Sequence, residues 1–443
     1  MREHVSSSVD QSDRHGHQRR LATLAAVVLV TFVVLAGIDL SSARQVFDAT
    51  LAETIETVEA GSAIRQITLL GFAAFSIALL ATGRRRLPET KPIIAVPLGL
   101  LLVVIAASAL WAIDPQLTFR RAAALGLMLV GVYICALMLE MRQIILGTLL
   151  FTGAFVGAAV AVQFLVGPFT PTVEGWRLAG IVHPVTLSWY CGLGAIAAVA
   201  VARFEPAYRI PADWAAVAFL ACLLLTKTRT GLGATLAAIA VFWLLTSERR
   251  VHHDIPVAVT WLALLLFLLA LAVPGHHLSW TSIYSETVEA SSFGRTDAIE
   301  QIATFTGRLP VWEASLALAS QRPILGFGYS AFQSAEMLPV FAEAAGWVPT
   351  STHSGYIDAL LSLGLVGLAL VVFVFGASIL ESVRMARHQP RYAFAPAVLT
   401  WLVVNLAFEA PVLFSPMLTS FLAFLLVTKI ALFPDHSGER SRP

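Results

Sequence analysis

The sequence predicts an all-α membrane protein, a polytopic bundle of about twelve transmembrane helices with one large, partly helical loop between the ninth and tenth. Three observations predict it. Hydrophobic residues make up 57% of the 443 residues and charged residues only 13%, against about 25% charged in a soluble domain. The mean hydropathy is +0.78. Apolar runs recur along the chain at close to the ~20 residues that cross a bilayer as a helix.

The runs at 21–39, 67–82, 93–113, 122–139, 144–166, 185–202, 214–226, 231–246 and 255–273 are expected to be helices one to nine. Those at 356–380, 394–410 and 417–432 are expected to be ten to twelve. The seventh and eighth are short, and only Lys227-Thr228-Arg229-Thr230 separates them. A polar interruption from Pro274 to Gly355 splits the apolar pattern. The expected organisation is therefore a tail at 1–20, helices at 21–273, an outer loop at 274–355, helices at 356–432 and a tail at 433–443.

Lys and Arg accumulate on the cytoplasmic side of membrane proteins. With a cytoplasmic N-terminus, the inner connections hold Arg14, Arg19, Arg20, Arg84, Arg85, Arg86, Lys91, Arg142, Arg203, Arg209, Arg249, Arg250, Arg384, Arg387 and Arg391. The outer connections hold Arg44, Arg65, Arg120, Arg121, Arg177, Lys227 and Arg229, plus three arginines spread over the long segment. This bias places both termini in the cytoplasm and 274–355 on the periplasmic or exterior side. Arg19-Arg20, the following apolar run and Ser41-Ser42-Ala43 also fit a cleavable signal peptide. An uncleaved first span is preferred, because an even span count agrees with the charge bias at both ends.

Cys135, Cys191 and Cys222 fall inside expected spans and read as small buried hydrophobes rather than disulfide partners or metal ligands. No Cys/His spacing suggests zinc, no P-loop occurs and no solenoid period recurs. A net charge of +1 gives no reason to expect nucleic acid. No metal and no cofactor is expected.

Cations on the outer side are the informative minority. Arg229 lies in a turn squeezed between two apolar runs, where a charge is costly. It reads either as an anion site at the membrane surface or as an arginine that anchors a tight hairpin by snorkelling. Arg308 opens an expected amphipathic helix with Trp312, Leu316 and Ala319 on one face. A cation at a helix start opposes the macrodipole, an objection that a bound anion would remove. The apolar stripe alone means only a helix lying on the bundle surface. His353 begins the tenth span between two potential capping residues, Thr352 and Ser354. A histidine there can serve as a base near neutral pH, although a lone boundary histidine is commonly structural. Glu409, in the eleventh span, reads as a functional carboxylate or as an arginine's partner. Asp358 is five positions from His353 and poorly aligned with it on a helix, so no dyad is expected.

Thr226-Lys227-Thr228-Arg229-Thr230, Gly307-Arg308-Leu309-Pro310-Val311-Trp312, Arg322-Pro323-Ile324-Leu325-Gly326-Phe327-Gly328 and His353-Ser354-Gly355-Tyr356-Ile357 leading into Leu363-Gly364-Leu365-Val366-Gly367 occur in this order. Trp111-Ala112-Ile113-Asp114-Pro115 precedes Arg120. Together these strings resemble the O-antigen ligase and Wzy polymerase superfamily over nearly the whole chain. Two positions depart from the family pattern: Ser354 stands where Asn is usual, and Thr228 where Ser is frequent.

The resemblance implies transfer of a glycan from undecaprenyl-pyrophosphate to an acceptor hydroxyl on the periplasmic side of the bacterial inner membrane, without metal, nucleotide or ion gradient. It implies Arg229 and Arg308 at the pyrophosphate, which arginine forks grip bidentately. It implies His353 as acceptor base or phosphate ligand, with Arg177, Arg120, Lys227, Glu409 and Trp312 as further substrate contacts. The acceptor is another carrier-linked glycan for a polymerase and lipid A-core for a ligase. Gly326-Phe327-Gly328-Tyr329-Ser330-Ala331-Phe332 and Ile357-Asp358-Ala359-Leu360-Leu361 are more similar to exopolysaccharide polymerases of the ExoQ type. A lipid-linked sugar flippase or other transporter is the rival reading, since fold does not determine function.

Overall fold

The computed structural model describes residues 50–82, 89–165, 177–180, 182–247, 308–410 and 417–432, together with the helical positions Val27, Val30, Thr31, Val34 and Leu35. Most of the first expected span, all of the ninth, residues 274–307 and both tails lie outside the described residues.

Among the described residues the chain is helical throughout, with no strand. The helices are α1 (Leu51–Ala60), α2 (Ala63–Thr82), α3 (Pro92–Ala107), α4 (Pro115–Met138), α5 (Met141–Leu165), α6 (Pro184–Phe204), α7 (Arg209–Leu225), α8 (Arg229–Thr246), α9 (Arg308–Ala319), α10 (Leu338–Ala345), α11 (Gly355–His388), α12 (Phe394–Leu406) and α13 (Leu418–Ala431). Among the described residues, eight segments are long and apolar enough to cross a membrane. Ten of the twelve expected spans coincide with helices, but α12 and α13 are shorter than a full crossing.

The bundle is built around α6, which is apolar on all sides and buried along most of its length. Glycines let its neighbours approach closely: a side chain on Gly192 would press on Thr235 and Trp401, and one on Gly194 on the Phe219 ring. Peripheral helices expose Ile67, Val103, Leu150, Trp214, Leu236 and Phe373. Apolar residues exposed at this density belong against lipid, which makes this an integral membrane protein.

Charges sort to the two ends of the bundle. At one end Glu205 accepts from Arg142 at 2.7 Å and from Arg391 at 3.1 Å. Glu381 there pairs with Lys91 at 3.0 Å and with Arg384. These are the cations the sequence assigns to the inner side. The starts of α4, α6, α8 and α11 lie at the other end, covered by α9 and α10. That cover has its own small core, in which Val311, Phe332, Leu338 and Phe341 pack with Leu51 and Ile55 of α1.

The cover is joined to the bundle through a break in α11. Gly364 adopts φ 64° and ψ −164°, so the helical bonds from Leu365 to Leu361 and from Val366 to Ser362 cannot form. The turn at 323–328 replaces them. Leu361 O accepts from Phe327 N and Ser362 O from Gly328 N, both at 2.9 Å, while Leu365 N donates to Pro323 O at 2.8 Å and Val366 N to Ile324 O at 3.3 Å. Two helical bonds are thus exchanged for four, two of them between buried residues, where an unsatisfied backbone group is expensive. The same turn binds the α3–α4 connection: Ile113 N donates to Phe327 O at 2.9 Å, and Trp111 Nε1 to Leu325 O at 3.1 Å. The tenth expected span coincides with α11, and its apolar pattern continues unchanged across the break.

Gly364→Ala is expected to destabilise the fold by roughly 2–3 kcal/mol, because its Cβ would strike the Ile324 carbonyl and its φ is positive. Gly376→Ala, in the same helix with open space around it, is expected to be neutral or stabilising by up to about 1 kcal/mol. Thermal unfolding of both variants in detergent checks the pair.

Candidate active site

His353 sits at the start of α11 in a loop tied down from three sides. Trp312 Nε1 of α9 donates to Thr352 O at 2.7 Å. Asp358 Oδ1 accepts from Thr352 N at 3.2 Å, so this carboxylate secures the loop and does not address the imidazole. Gly355 N donates to Glu409 O at 3.0 Å, and Ser354 caps α11 by accepting from Ile357 N. His353 itself holds a left-handed backbone, φ 55°, unusual for a residue with a β-carbon. Strain of this kind persists only where surroundings enforce it, and it aims the ring at the end of α12.

There the ring meets Glu409, three residues beyond α12. His353 Nδ1 lies 3.3 Å from Glu409 Oε2, and Arg308 binds Oε1 of the same carboxylate. The carboxylate is buried. Burial opposes its charge, but the Arg308 guanidinium, the His353 hydrogen bond and charge, and His183 outweigh it and hold its carboxyl below the ordinary value. An ionised carboxylate only accepts hydrogen bonds, so His353 Nδ1 carries the proton toward it. In the neutral ring Nε2 is then the basic nitrogen. It is buried without a partner among the described residues, while the side chain as a whole keeps 22% exposure. Trp347 flanks the ring at 5.7 Å between centroids.

His183 reaches this carboxylate from the N-cap of α6, where its Nδ1 accepts from Val185 N at 3.2 Å. The sequence offers His183 only as the neighbour of Trp176-Arg177, a lesser candidate, and assigns it no role. Trp176 lies outside the described residues.

The remaining candidates divide by what they touch. Arg229 is the first residue of α8, behind an N-cap at Thr228. Lys227 occupies the turn before it at φ 54°. Two residues into that helix, Gly231 packs on Ser188 of α6, which links the turn to the His183 end. Arg177 is buried and donates through Nε to Thr226 O at 2.9 Å and through Nη2 to Thr228 Oγ1 at 3.3 Å. It therefore stitches the end of α7 to the start of α8 and shapes the turn that presents Arg229. Arg120 donates to the carbonyls of Val58 and Glu59 at the end of α1. Trp312 acts on the His353 loop through its backbone. The structure thus joins Arg308 and His353 through Glu409, brings His183 near the same carboxylate, ties Trp312 to the His353 loop, and gives Arg177 and Arg120 partners elsewhere.

Fold and site define a polytopic helical membrane protein whose buried charge cluster lies at one end of the bundle beneath a helical cover. Residues 214–372 match the model of the O-antigen ligase family, Wzy_C. Over 279 residues the chain is 28% identical to the exopolysaccharide production protein ExoQ of Rhizobium meliloti (strain 1021), an alignment that spans 60% of this chain and 60% of that relative. Part of the chain is thus similar to the O-antigen ligase family, and the chain spans less than two thirds of the length of that relative.

Glu409 stabilises the folded state only while ionised. Its folded pKa is depressed, so the contribution is complete above the ordinary value of about 4.3 and is lost as pH falls through the lower folded value. Breaking such a buried pair costs about 3–5 kcal/mol. Glu409→Gln is therefore expected to lower the melting temperature most above about pH 5, with the gap to wild type narrowing as pH falls further. A gap constant across that range would contradict the assignment.

Proposed function

We propose that this protein is a glycosyltransferase that moves a glycan from undecaprenyl-pyrophosphate to an acceptor hydroxyl at the periplasmic face, polymerising surface or exopolysaccharide repeat units. The observation that carries this reading is His353, with Nδ1 on Glu409, Nε2 without a partner among the described residues, and Arg308 on the same carboxylate.

In this reading His353 Nε2 takes the proton of the acceptor hydroxyl as its oxygen attacks the anomeric carbon. The bond from that carbon to the diphosphate breaks, and the electron pair leaves with the phosphate oxygen. Glu409 holds the ring in the tautomer that exposes Nε2 and stabilises the imidazolium that forms, as a carboxylate does behind a catalytic histidine. A guanidinium has five donors, so Arg308 can keep Glu409 with one edge and meet the diphosphate with another. Arg229 supplies a second positive charge at a helix N-terminus, where unpaired amides also favour an anion. General-base help of this kind is worth ~10²–10⁴ in rate, and each preorganised charge donor ~10²–10³.

The likeness to a protein named for exopolysaccharide production supports polymerisation, with a second carrier-linked glycan as acceptor. The family's description as O-antigen ligase supports the second reading, in which lipid A-core is the acceptor. A flippase is less well supported: transporters place ionisable groups and broken helices near the bilayer midplane. Here Arg308, His353, His183 and Glu409 gather at one end of the bundle.

His353→Ala and Arg308→Ala are each expected to reduce glycan transfer by ~10²-fold or more while the protein still inserts in the membrane. Wild-type polymer length and amount in both variants would rule the roles out. Purified protein given only undecaprenyl-pyrophosphate-linked repeat units is expected to form ladders. Product that appears only when lipid A-core is added would establish the ligase instead, and lipid translocation without a new glycosidic bond would establish the flippase.

A further inference from the structure

Trp347 is a large aromatic residue of the outer cover that the fold leaves 41% exposed. Its indole lies 5.7 Å from the His353 imidazole between ring centroids, with the planes tilted by 47°. The His353 side chain keeps 22% exposure of its own. Two part-open rings therefore stand side by side at the proposed base.

The loop that carries Trp347 is pinned on both sides. Before it, α10 is seated in the core of the cover by Phe341, whose ring stacks on Phe332 at 4.1 Å. Gly346 ends that helix at φ 74°, its amide donating to Ala342 O at 3.0 Å. A β-carbon there would meet nothing within 4 Å, so this glycine serves the left-handed turn and not a close approach. After Trp347, Pro349 is buried. Gln333 Nε2 then donates to Thr350 O at 2.9 Å, and Trp312 Nε1 to Thr352 O at 2.7 Å. His353 N closes the loop on Ser351 Oγ at 3.2 Å. An indole held this way is displayed by the fold and is not a loose tip.

Exposed tryptophans also form belts at the membrane surface. Two features set Trp347 apart from such an anchor. Its ring neighbour is the imidazole of a buried charge cluster, and Glu343 before it and Thr350 after it are exposed, which gives the loop a polar rim. An aromatic face beside a few convergent polar groups is the usual make-up of a small-ligand site. A pyranose suits this one. Its C–H bonds give it an apolar face that packs on an indole, while its hydroxyls project from the ring edge toward polar neighbours. A bare phosphate has no such face.

We propose that Trp347 is the platform on which a pyranose of the acceptor glycan stacks, turning a ring-edge hydroxyl toward His353. Trp347 binds and orients the sugar and takes no proton. That the sugar belongs to the acceptor rests on the glycosyl-transfer reading above.

The test uses full-length protein in phosphatidylcholine nanodiscs and the oligosaccharide that mild acid releases from carrier-linked repeat units. Saturation-transfer NMR reads the sugar C–H protons. Wild type is expected to bind this oligosaccharide, Trp347→Ala about tenfold more weakly, and Trp347→Phe, which keeps an aromatic face, within about threefold of wild type. Undecaprenyl diphosphate, which carries no sugar, is expected to bind all three alike. In transfer assays Trp347→Ala is expected to raise the acceptor KM by about tenfold while kcat changes by less than about threefold. No binding of the oligosaccharide to wild type, or equal binding to Trp347→Ala, overturns the platform. Equal weakening of undecaprenyl diphosphate assigns Trp347 to anchoring or folding, and a fall in kcat at constant KM assigns it to the imidazolium; either result also overturns the proposal. Oligosaccharide binding that depends on Trp347, with no new glycosidic bond made by wild type from carrier-linked units, supports the sugar platform and defeats the transferase reading.

Discussion

Backbone amides and carbonyls must be satisfied wherever water cannot reach them, and in this protein that constraint joins the outer cover to the membrane bundle. α11 breaks at Gly364, and the groups it frees are met by Pro323, Ile324, Phe327 and Gly328. A side chain at Gly326 would sit 2.6 Å from the Leu361 carbonyl, so glycine is required on both sides of the junction. Through the same turn α9 is carried to a fixed position above the end of α12. Arg308 therefore meets Glu409 as a consequence of a backbone exchange some distance away.

Glu409 is the electrostatic centre of what results. A buried carboxylate without partners would lose its charge or destabilise the fold, and Arg308, His353 and His183 keep it ionised. The partners come from α9, the start of α11 and the start of α6, so the carboxylate couples the position of the cover to that of the histidine. Its charge also decides the histidine's chemistry. By holding the Nδ1 proton it leaves Nε2 as the basic atom, which is the property the proposed transfer requires.

Arginine serves two purposes that composition does not separate. Arg177 is a strut whose fork spans the Thr226 carbonyl and the Thr228 hydroxyl. Arg120 similarly closes the end of α1. Arg308 instead pairs with the buried Glu409 carboxylate beside the histidine. Outward placement alone had put Arg177 and Arg308 in one class, and the distinction lies in whether a backbone oxygen is within reach.

Composition and apolar periodicity suffice for the helical membrane class and for the place of ten expected spans, though not for α1 or α10, because hydrophobic length is a local property that lipid imposes directly. The cation bias anticipates which charges share an end, and Arg142, Lys91, Arg384 and Arg391 do meet at one. Arg308 and His353 stand out as oddly placed charges, and the motif strings connect them to a family. The break at Gly364, the role of Arg177 and the meeting of Glu409 with Arg308 and His353 were decided by tertiary structure alone. Each depends on partners 34 to 101 positions apart, and no local pattern encodes which distant oxygen a freed amide or a buried cation will find.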